Sequence, residues 1–280
     1  MPNIRDYIKQ ELAPHYTHGE ITAIIQLILD KQLNLSIIES LTHKFSDLSD
    51  EQTHLISDIM EKLKSKEPIQ YIIGVCDFYN LQFDVNKEVL IPRPETEELV
   101  EWIINDNKNN QSISILDIGT GSGCIAVALA HNLPLASVSA WDISNGALEV
   151  AKQNASNNKA NVQFELKDIL ITNESENKYN VIVSNPPYIT EIEKNEMLEN
   201  VLDYEPHLAL FVPNNNPLLF YNQIARFASN SLVSGGKLYF EINRSHGDEI
   251  VGMLREKGFI NVELRKDIDG NNRMIRAEKI

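Results

Sequence analysis

At 280 residues, 42% of them hydrophobic and 23% charged, the chain has apolar material for one large domain or two modest ones, in the proportions of a soluble globular protein. A net charge of −15 argues against avid, sequence-independent DNA binding, because a phosphate backbone repels such a surface on average, and no apolar run approaches membrane-spanning length. Cys76 and Cys124 are too few and too isolated for a disulfide framework or a thiolate metal site, and "MPNIRDYIKQELAPHY" lacks the apolar run of a signal peptide, so a cytoplasmic protein is expected.

Residues 1 to about 66 read as a small helical bundle. "ITAIIQLILDKQL" sets Ile21, Ile24, Ile25 and Ile28 at the spacing of one helical face. "SDEQTHLISDIMEKLKS" opens with Ser49 and Gln52, a capping-box pattern, and then shows Leu55, Ile59 and Leu63 along one face. From Lys66 the grammar changes, and "YIIGV" and "LQFDV" are expected to pair as strands of a hairpin linker. "RPETEELVEWII" then starts a helix with acids in its first turn.

From Ser112 onward strands and helices alternate. "SISILDIG", "ASVSAWDIS", "VQFEL", "YNVIVSN" and "KLYFEIN" read as strands. "GCIAVALAHNL", "NGALEVAKQNASNN", "PLLFYNQIARFASNSL" and "GDEIVGMLREKG" read as helices, and two closing strands follow. This rhythm predicts a parallel sheet with helices on both faces. The asparagine-rich "NDNKNNQ" and "NESENK" read as surface loops.

"ILDIGTGSGCIAVALA" falls at the first strand-to-helix turn of this region, where open α/β sheets bind ligands. Gly119, Gly121 and Gly123 permit a tight turn and close approach of the backbone to a ligand. Two details oppose a dinucleotide site: Cys124 stands where the distant glycine is wanted, and the charge of Asp117 would face a pyrophosphate. An acid there suits a ligand with a cationic end, such as S-adenosylmethionine. Asp142, about twenty residues after Gly121, is placed to accept from both ribose hydroxyls, and Asp168 from an adenine amino group with Ile169 against the ring. Any one of these acids alone serves equally well as a helix cap; three at successive strand ends beside a glycine loop favour a nucleoside site.

The fourth strand of the series ends abruptly in Asn185-Pro186-Pro187-Tyr188. The Asn185 side-chain oxygen and the Pro186 carbonyl can each accept one N–H of a planar amide or amine. Pro187 biases Pro186 towards an extended conformation that aims its carbonyl outward, and Tyr188 can stack on the acceptor group. The bland alternative is a rigid turn with a packed tyrosine.

"DIGTGSG" followed by "NPPY" resembles the class I S-adenosylmethionine-dependent methyltransferases that act on amide or exocyclic amino nitrogens. Taken with "PIQYIIG", "LIPRPETEELVE", "NPPYI", "DYEPHLAL" and "KDIDGNNR", the chain resembles the HemK-type peptide chain release factor glutamine methyltransferase family from end to end. The resemblance implies an α/β fold. Its Rossmann-like class I methyltransferase sheet is mostly parallel with an antiparallel last strand, and a β-hairpin joins it to a small N-terminal helical bundle. It implies a helical substrate-docking domain over 1–66, a hairpin linker over 67–92 and a methyltransferase domain over 93–280. The implied reaction transfers a methyl group from S-adenosylmethionine, leaving S-adenosylhomocysteine and using no metal. The acceptor is the side-chain amide nitrogen (N5) of the glutamine in the Gly-Gly-Gln loop of class 1 peptide chain release factors.

Carried over residue by residue, Asp117, Gly119, Thr120, Gly121, Ser122, Gly123, Asp142, Asp168, Ile169 and Asn185 hold the cofactor, and Asn185, Pro186, Pro187 and Tyr188 grip the glutamine. Relatives often carry an aromatic residue where Ile169 stands, which implies weaker adenine stacking here. A monomer that contacts neither DNA nor membrane is expected.

The nearest rival is a ribosomal-protein glutamine N5-methyltransferase, against which "IPRPETEE" counts. A DNA adenine N6-methyltransferase is disfavoured by the acidic charge and by the lack of room for a separate target-recognition domain. An adaptor built on a decayed fold is opposed by the intact glycine loop and Asn-Pro-Pro-Tyr. The seven histidines are scattered, His15 and His18 lack accompanying zinc ligands, and Thr120 breaks the nucleophile-elbow pattern around Ser122. Arg93 can line the acceptor cleft or pair with Glu95, and the sequence weighs the two equally.

Overall fold

The computed structural model describes residues 3–109 and 112–280. The chain divides into two compact units, Met1–Val75 with Leu198–Tyr204, and Cys76–Met197 with Glu205–Ile280.

Helices α1 (Ile4–Leu12), α2 (His18–Lys31), α3 (Ile37–Thr42), α4 (Asp50–Lys64) and α5 (Ile69–Ile73) belong to the first unit. In α2 the expected stripe of Ile21, Ile24, Ile25 and Ile28 is buried. In α4 the Ser49 hydroxyl accepts from Gln52 N (3.2 Å) and the Gln52 side chain accepts from Ser49 N (3.0 Å), the reciprocal cap read from the sequence. The buried stripe of α4, however, is Ile56, Ile59, Met60 and Leu63, and Leu55 only flanks it. Successive steps of four residues drift about 40° around a 3.6-residue helix, so a true face needs steps of three between them.

"YIIGV" is not a strand: Tyr71 to Ile73 finish α5, which ends at Gly74 in the left-handed region (φ +80°), and only Val75 is extended. Ile69 and Ile72, three apart, pack on the core of the helical unit, so the β-branched residues serve a helix face.

A hairpin, in the second unit from Cys76 on, joins β1 (Val75–Phe78) to β2 (Leu81–Asp84) through Tyr79 and Asn80, both at positive φ (46° and 59°) as a tight two-residue hairpin turn requires. Then come α6 (Pro94–Asn107), β3 (Ser114–Ile118), α7 (Cys124–Asn132), β4 (Ser137–Asp142), α8 (Asn145–Asn157), β5 (Val162–Leu166) and β6 (Tyr179–Ser184). They are followed by β7 (Ile189–Thr190), α9 (Glu199–Tyr204, part of the first unit), β8 (Phe211–Val212), α10 (Leu219–Ser231), β9 (Leu232–Glu241), α11 (Gly247–Glu256), β10 (Phe259–Lys266) and β11 (Asn272–Lys279). The loop expected over "NDNKNNQ" begins inside α6, and its residues 110 and 111 lie outside the described residues. β7, β8 and α9 were not foreseen; two to six residues are too few to show a period.

Seven strands form one sheet in the order β10-β11-β9-β6-β3-β4-β5. β3, β4, β5, β6 and β9 pair in parallel, whereas β11 runs antiparallel to both β9 and β10. Side chains alternate between two cores: Ile115, Val181, Val183 and Tyr239 join the one containing α6 and α7, and Leu116, Ile182, Leu238 and Phe240 the one containing α10 and α11. A sheet covered on both faces explains why its strands read as continuous apolar runs. The fold is the expected Rossmann-like, mostly parallel sheet with an antiparallel last strand. Because β4 and β5 build outward on one side of β3 and β6 returns on the other, a crevice opens between the carboxyl ends of β3 and β6.

Candidate functional site

The loop after β3 carries the glycines. Gly119 N and Thr120 N both donate to Trp141 O (2.8 and 3.0 Å), which pins the loop to the end of β4. Gly121 takes φ +54°, and its N–H donates to Asp142 Oδ2 (2.8 Å), while Asp142 Oδ1 accepts from Ser144 N (2.9 Å). Two backbone amides thus hold the Asp142 carboxylate in place, and burial, the larger influence, raises its pKa against them. Gly123 caps α7 at φ +82°, with Ala151 close enough that an added Cβ would lie 3.1 Å from the Ala151 Cβ.

Asp117 has no exposed surface; the Thr120 hydroxyl donates to its Oδ2 (2.6 Å). Burial pushes its carboxyl up to about 7, with the nearby Asp142 charge adding and the Thr120 hydroxyl opposing. On the far side of the crevice the Ser184 hydroxyl donates to Ile118 O (2.6 Å), locking the end of β6 beside the glycine loop and delivering Asn185 there.

A cavity of about 420 Å³ lies in this crevice. Gly119, Thr120, Gly121 and Ser122 line it from one side, Asp142, Asp168 and Ile169 from another, and Asn185, Pro186 and Pro187 from a third. Asp168 lies two residues past the end of β5 in a tight turn in which its Oδ1 accepts from Leu170 N (2.8 Å), and Ile169 is buried. Three residues singled out from the sequence stand behind the lining instead: Asp117 under Thr120, Gly123 against Ala151, and Tyr188. The Tyr188 ring packs on the core beside α10, its hydroxyl donates to Glu241 Oε1 (3.4 Å), and its carbonyl accepts from Asn243 Nδ2 (3.2 Å).

Arg93 lines the cavity and pairs with Glu205 (2.5 Å), not with Glu95. Glu205, nearly fully buried, also accepts from Ile91 N (3.3 Å), so it ties the loop before α6 to the "EPHLAL" turn. Sequence reasoning missed Thr96 and Glu241. Thr96, in the first turn of α6, lines the cavity; its hydroxyl donates to Glu241 Oε2 (2.5 Å) and its oxygen accepts from Asn185 Nδ2 (3.5 Å). Glu241 is buried at the end of β9. Burial raises its pKa, while the Thr96 hydroxyl, Arg273 and the Tyr188 hydroxyl favour the charged form and Glu95 opposes it. The available signal was "LYFEI", a lone acid within an apolar run.

Two family descriptions match the chain: a methyltransferase small domain over residues 96–204 and a PrmC N-terminal domain over residues 3–74. The release factor glutamine methyltransferase of Flavobacterium psychrophilum is 46% identical over 278 residues, 98% of each chain. That of Bacteroides thetaiotaomicron is 43% identical over 280 residues, the whole of both chains. Among solved structures, a methyltransferase from Pyrococcus furiosus, 17% identical, covers 82% of this chain and 99% of its own with a TM-score of 0.53, a likeness of fold. With a nucleoside-sized cavity at the switch point of a class I sheet, and relatives this similar over the full length, the chain belongs to the release factor glutamine methyltransferase family.

Proposed function

We propose that this chain methylates the side-chain amide nitrogen (N5) of the glutamine in the Gly-Gly-Gln loop of class 1 peptide chain release factors, with S-adenosylmethionine as the donor. The observation that carries this reading is the convergence of the Gly119–Ser122 loop, Asp142 and Asn185–Pro187 on one cavity. The lining suits the donor. Asp142, with each oxygen already held by one amide, keeps lone pairs for the ribose hydroxyls, and Ile118, Ala147 and Ile169 offer an apolar wall to the adenine. Asp168 stands beside Ile169 for the adenine amino group. When bound, the donor supplies an electrophilic methyl on a sulfonium that departs as a neutral thioether.

The chain's own residues act by positioning. Asn185 Oδ1 and the Pro186 carbonyl each accept one N–H of the acceptor amide, which orients the nitrogen and stabilises the positive charge that grows on it. Pro187 keeps Pro186 extended, so its carbonyl cannot swing away. No strong base is needed before attack, because the nitrogen can lose its proton afterwards; alignment of the reacting atoms therefore carries much of the rate. Asp117 and Tyr188 act from behind, the first holding Thr120 and the second anchoring the end of the motif to Glu241. In this reading residues 1–66 dock the release factor, 67–92 link, and 93–280 perform the transfer.

The test is transfer of labelled methyl from S-adenosylmethionine to a class 1 release factor, to the same factor with its loop glutamine replaced, to ribosomal protein and to duplex DNA. Label is expected on the intact release factor alone, and Asn185→Ala is expected to lower transfer about 100-fold or more, the scale of losing one transition-state hydrogen-bonding group. Label on ribosomal protein or DNA instead would keep the donor site and overturn the substrate.

A further inference from the structure

The geometry points to Glu241 as a positioning residue that, through Thr96, sets which end of the Asn185 amide faces the acceptor. An asparagine amide is nearly symmetric in shape, with an acceptor at one end and two donors at the other, so its neighbours alone decide its orientation. Asn185 on its own can offer the cavity either Oδ1 or Nδ2, and only Oδ1 can accept an N–H.

Thr96 resolves the choice. A hydroxyl has a single proton, and the Thr96 proton is committed to Glu241 Oε2 at 2.5 Å, the length of a charge-assisted O–H···O bond. Its oxygen can then only accept towards Asn185, so Nδ2 must turn to Thr96 (3.5 Å) and Oδ1 is left over. Burial works against the charge on Glu241, whereas the Thr96 hydroxyl, Arg273 and the Tyr188 hydroxyl favour it; in the ionised form the carboxylate only accepts, and the relay then runs one way, Asn185 N–H to Thr96 and Thr96 O–H to Glu241. The other Glu241 oxygen accepts from Tyr188 (3.4 Å), so one buried carboxylate acts on both ends of Asn185-Pro186-Pro187-Tyr188. A carboxylate buried at the end of a central strand is costly without partners, and both of its side-chain donors lead to this motif.

The inference rests on the proposed function, since it supposes an acceptor N–H at Asn185. Steady-state transfer to the release factor is compared for the native chain, Thr96→Ser, Thr96→Val, Glu241→Gln and the Thr96→Val/Glu241→Gln double variant, with S-adenosylmethionine binding and a urea midpoint for each to show that it is folded. Thr96→Val is expected to lower kcat about 10- to 100-fold, the usual effect of losing an outer orienting partner. Its KM for the release factor should change less than about 3-fold, because one amide contact is a small part of a protein–protein interface. Thr96→Ser, which keeps the hydroxyl, should recover most of kcat. Glu241→Gln should cost less in the Thr96→Val background than in the native chain, because the route through the hydroxyl is gone and only the Tyr188 contact remains for Glu241 to act through. Near-native kcat in folded Thr96→Val, or costs that simply add in the double variant, would overturn the inference and leave the proposed function standing. No transfer by the native chain to the release factor would overturn the proposed function and this inference with it.

Discussion

Asp117 sits fully buried at the end of β3, one oxygen held by Thr120 and Oδ1 without a hydrogen-bond partner among the described residues. Its carboxyl is raised from 3.8 to about 7, so between those values the folded chain holds a proton that the unfolded chain has released. The stability tied to that proton is complete at low pH and is lost as pH rises through about 7. Asp117→Asn removes the titration, and the urea midpoint of the variant relative to the native chain should rise from pH 5.5 to 7.5; a constant difference across that range would contradict the assignment. The residue is plain in "LDIGTG", yet its burial is not, because a carboxylate before a glycine loop reads the same whether it faces a ligand or lies beneath the loop. Tyr188 is open in a similar way: a tyrosine after two prolines can stack on a substrate or turn back to the core, and here its hydroxyl reaches the buried Glu241.

At the scale of elements, α4 separates what a periodic pattern conveys from what it does not. Its start was legible in Ser49 and Gln52, since a cap is a local hydrogen-bond exchange. The same logic runs in Thr17 with Glu20 and in Ser36 with Glu39, whose reciprocal caps open α2 and α3. Which stripe faces the core depends on rotation, which a few leucines and isoleucines leave ambiguous by about 50° at 3.6 residues per turn. Ile59→Ala is expected to cost about 2–5 kcal/mol in urea unfolding, the range for truncating a buried aliphatic side chain, and Leu55→Ala, on the flank, about 1 kcal/mol or less. Equal costs would return Leu55 to the core face. The hairpin shows a tertiary choice as well: Asp84 N donates to Asn154 Oδ1 (2.6 Å) and Asn154 Nδ2 donates to Asp84 O (2.9 Å), so a buried asparagine of α8 takes the place of a further strand.

Over the whole molecule, the acidic balance weighs on partners before any contact is considered. With a net charge of −15, the chain is expected to leave a labelled DNA duplex unshifted at physiological salt, with or without S-adenosylmethionine, whereas a shift that weakens steeply with salt would reveal a local basic surface. The alternation of strands and helices from Ser112 was enough to determine a parallel sheet, and the order of "DIGTGSG", Asp142, Asp168 and "NPPY" along it was enough to bring them to one edge, because every parallel strand delivers its carboxyl end to the same side. Periodicity and local caps are properties of neighbouring residues, so the sequence by itself carried them. The tertiary structure alone decided the pairing of Arg93 with Glu205 and the relay from Asn185 through Thr96 to Glu241. Those partners lie more than a hundred residues apart along the chain in the first case and as far as 145 in the second, and meet only when β9 and the "EPHLAL" turn come to rest against α6 and the loop before it. No local pattern encodes such a meeting. It follows from how the sheet orders its strands, and it is there that a buried charge finds the partners that make its burial tolerable.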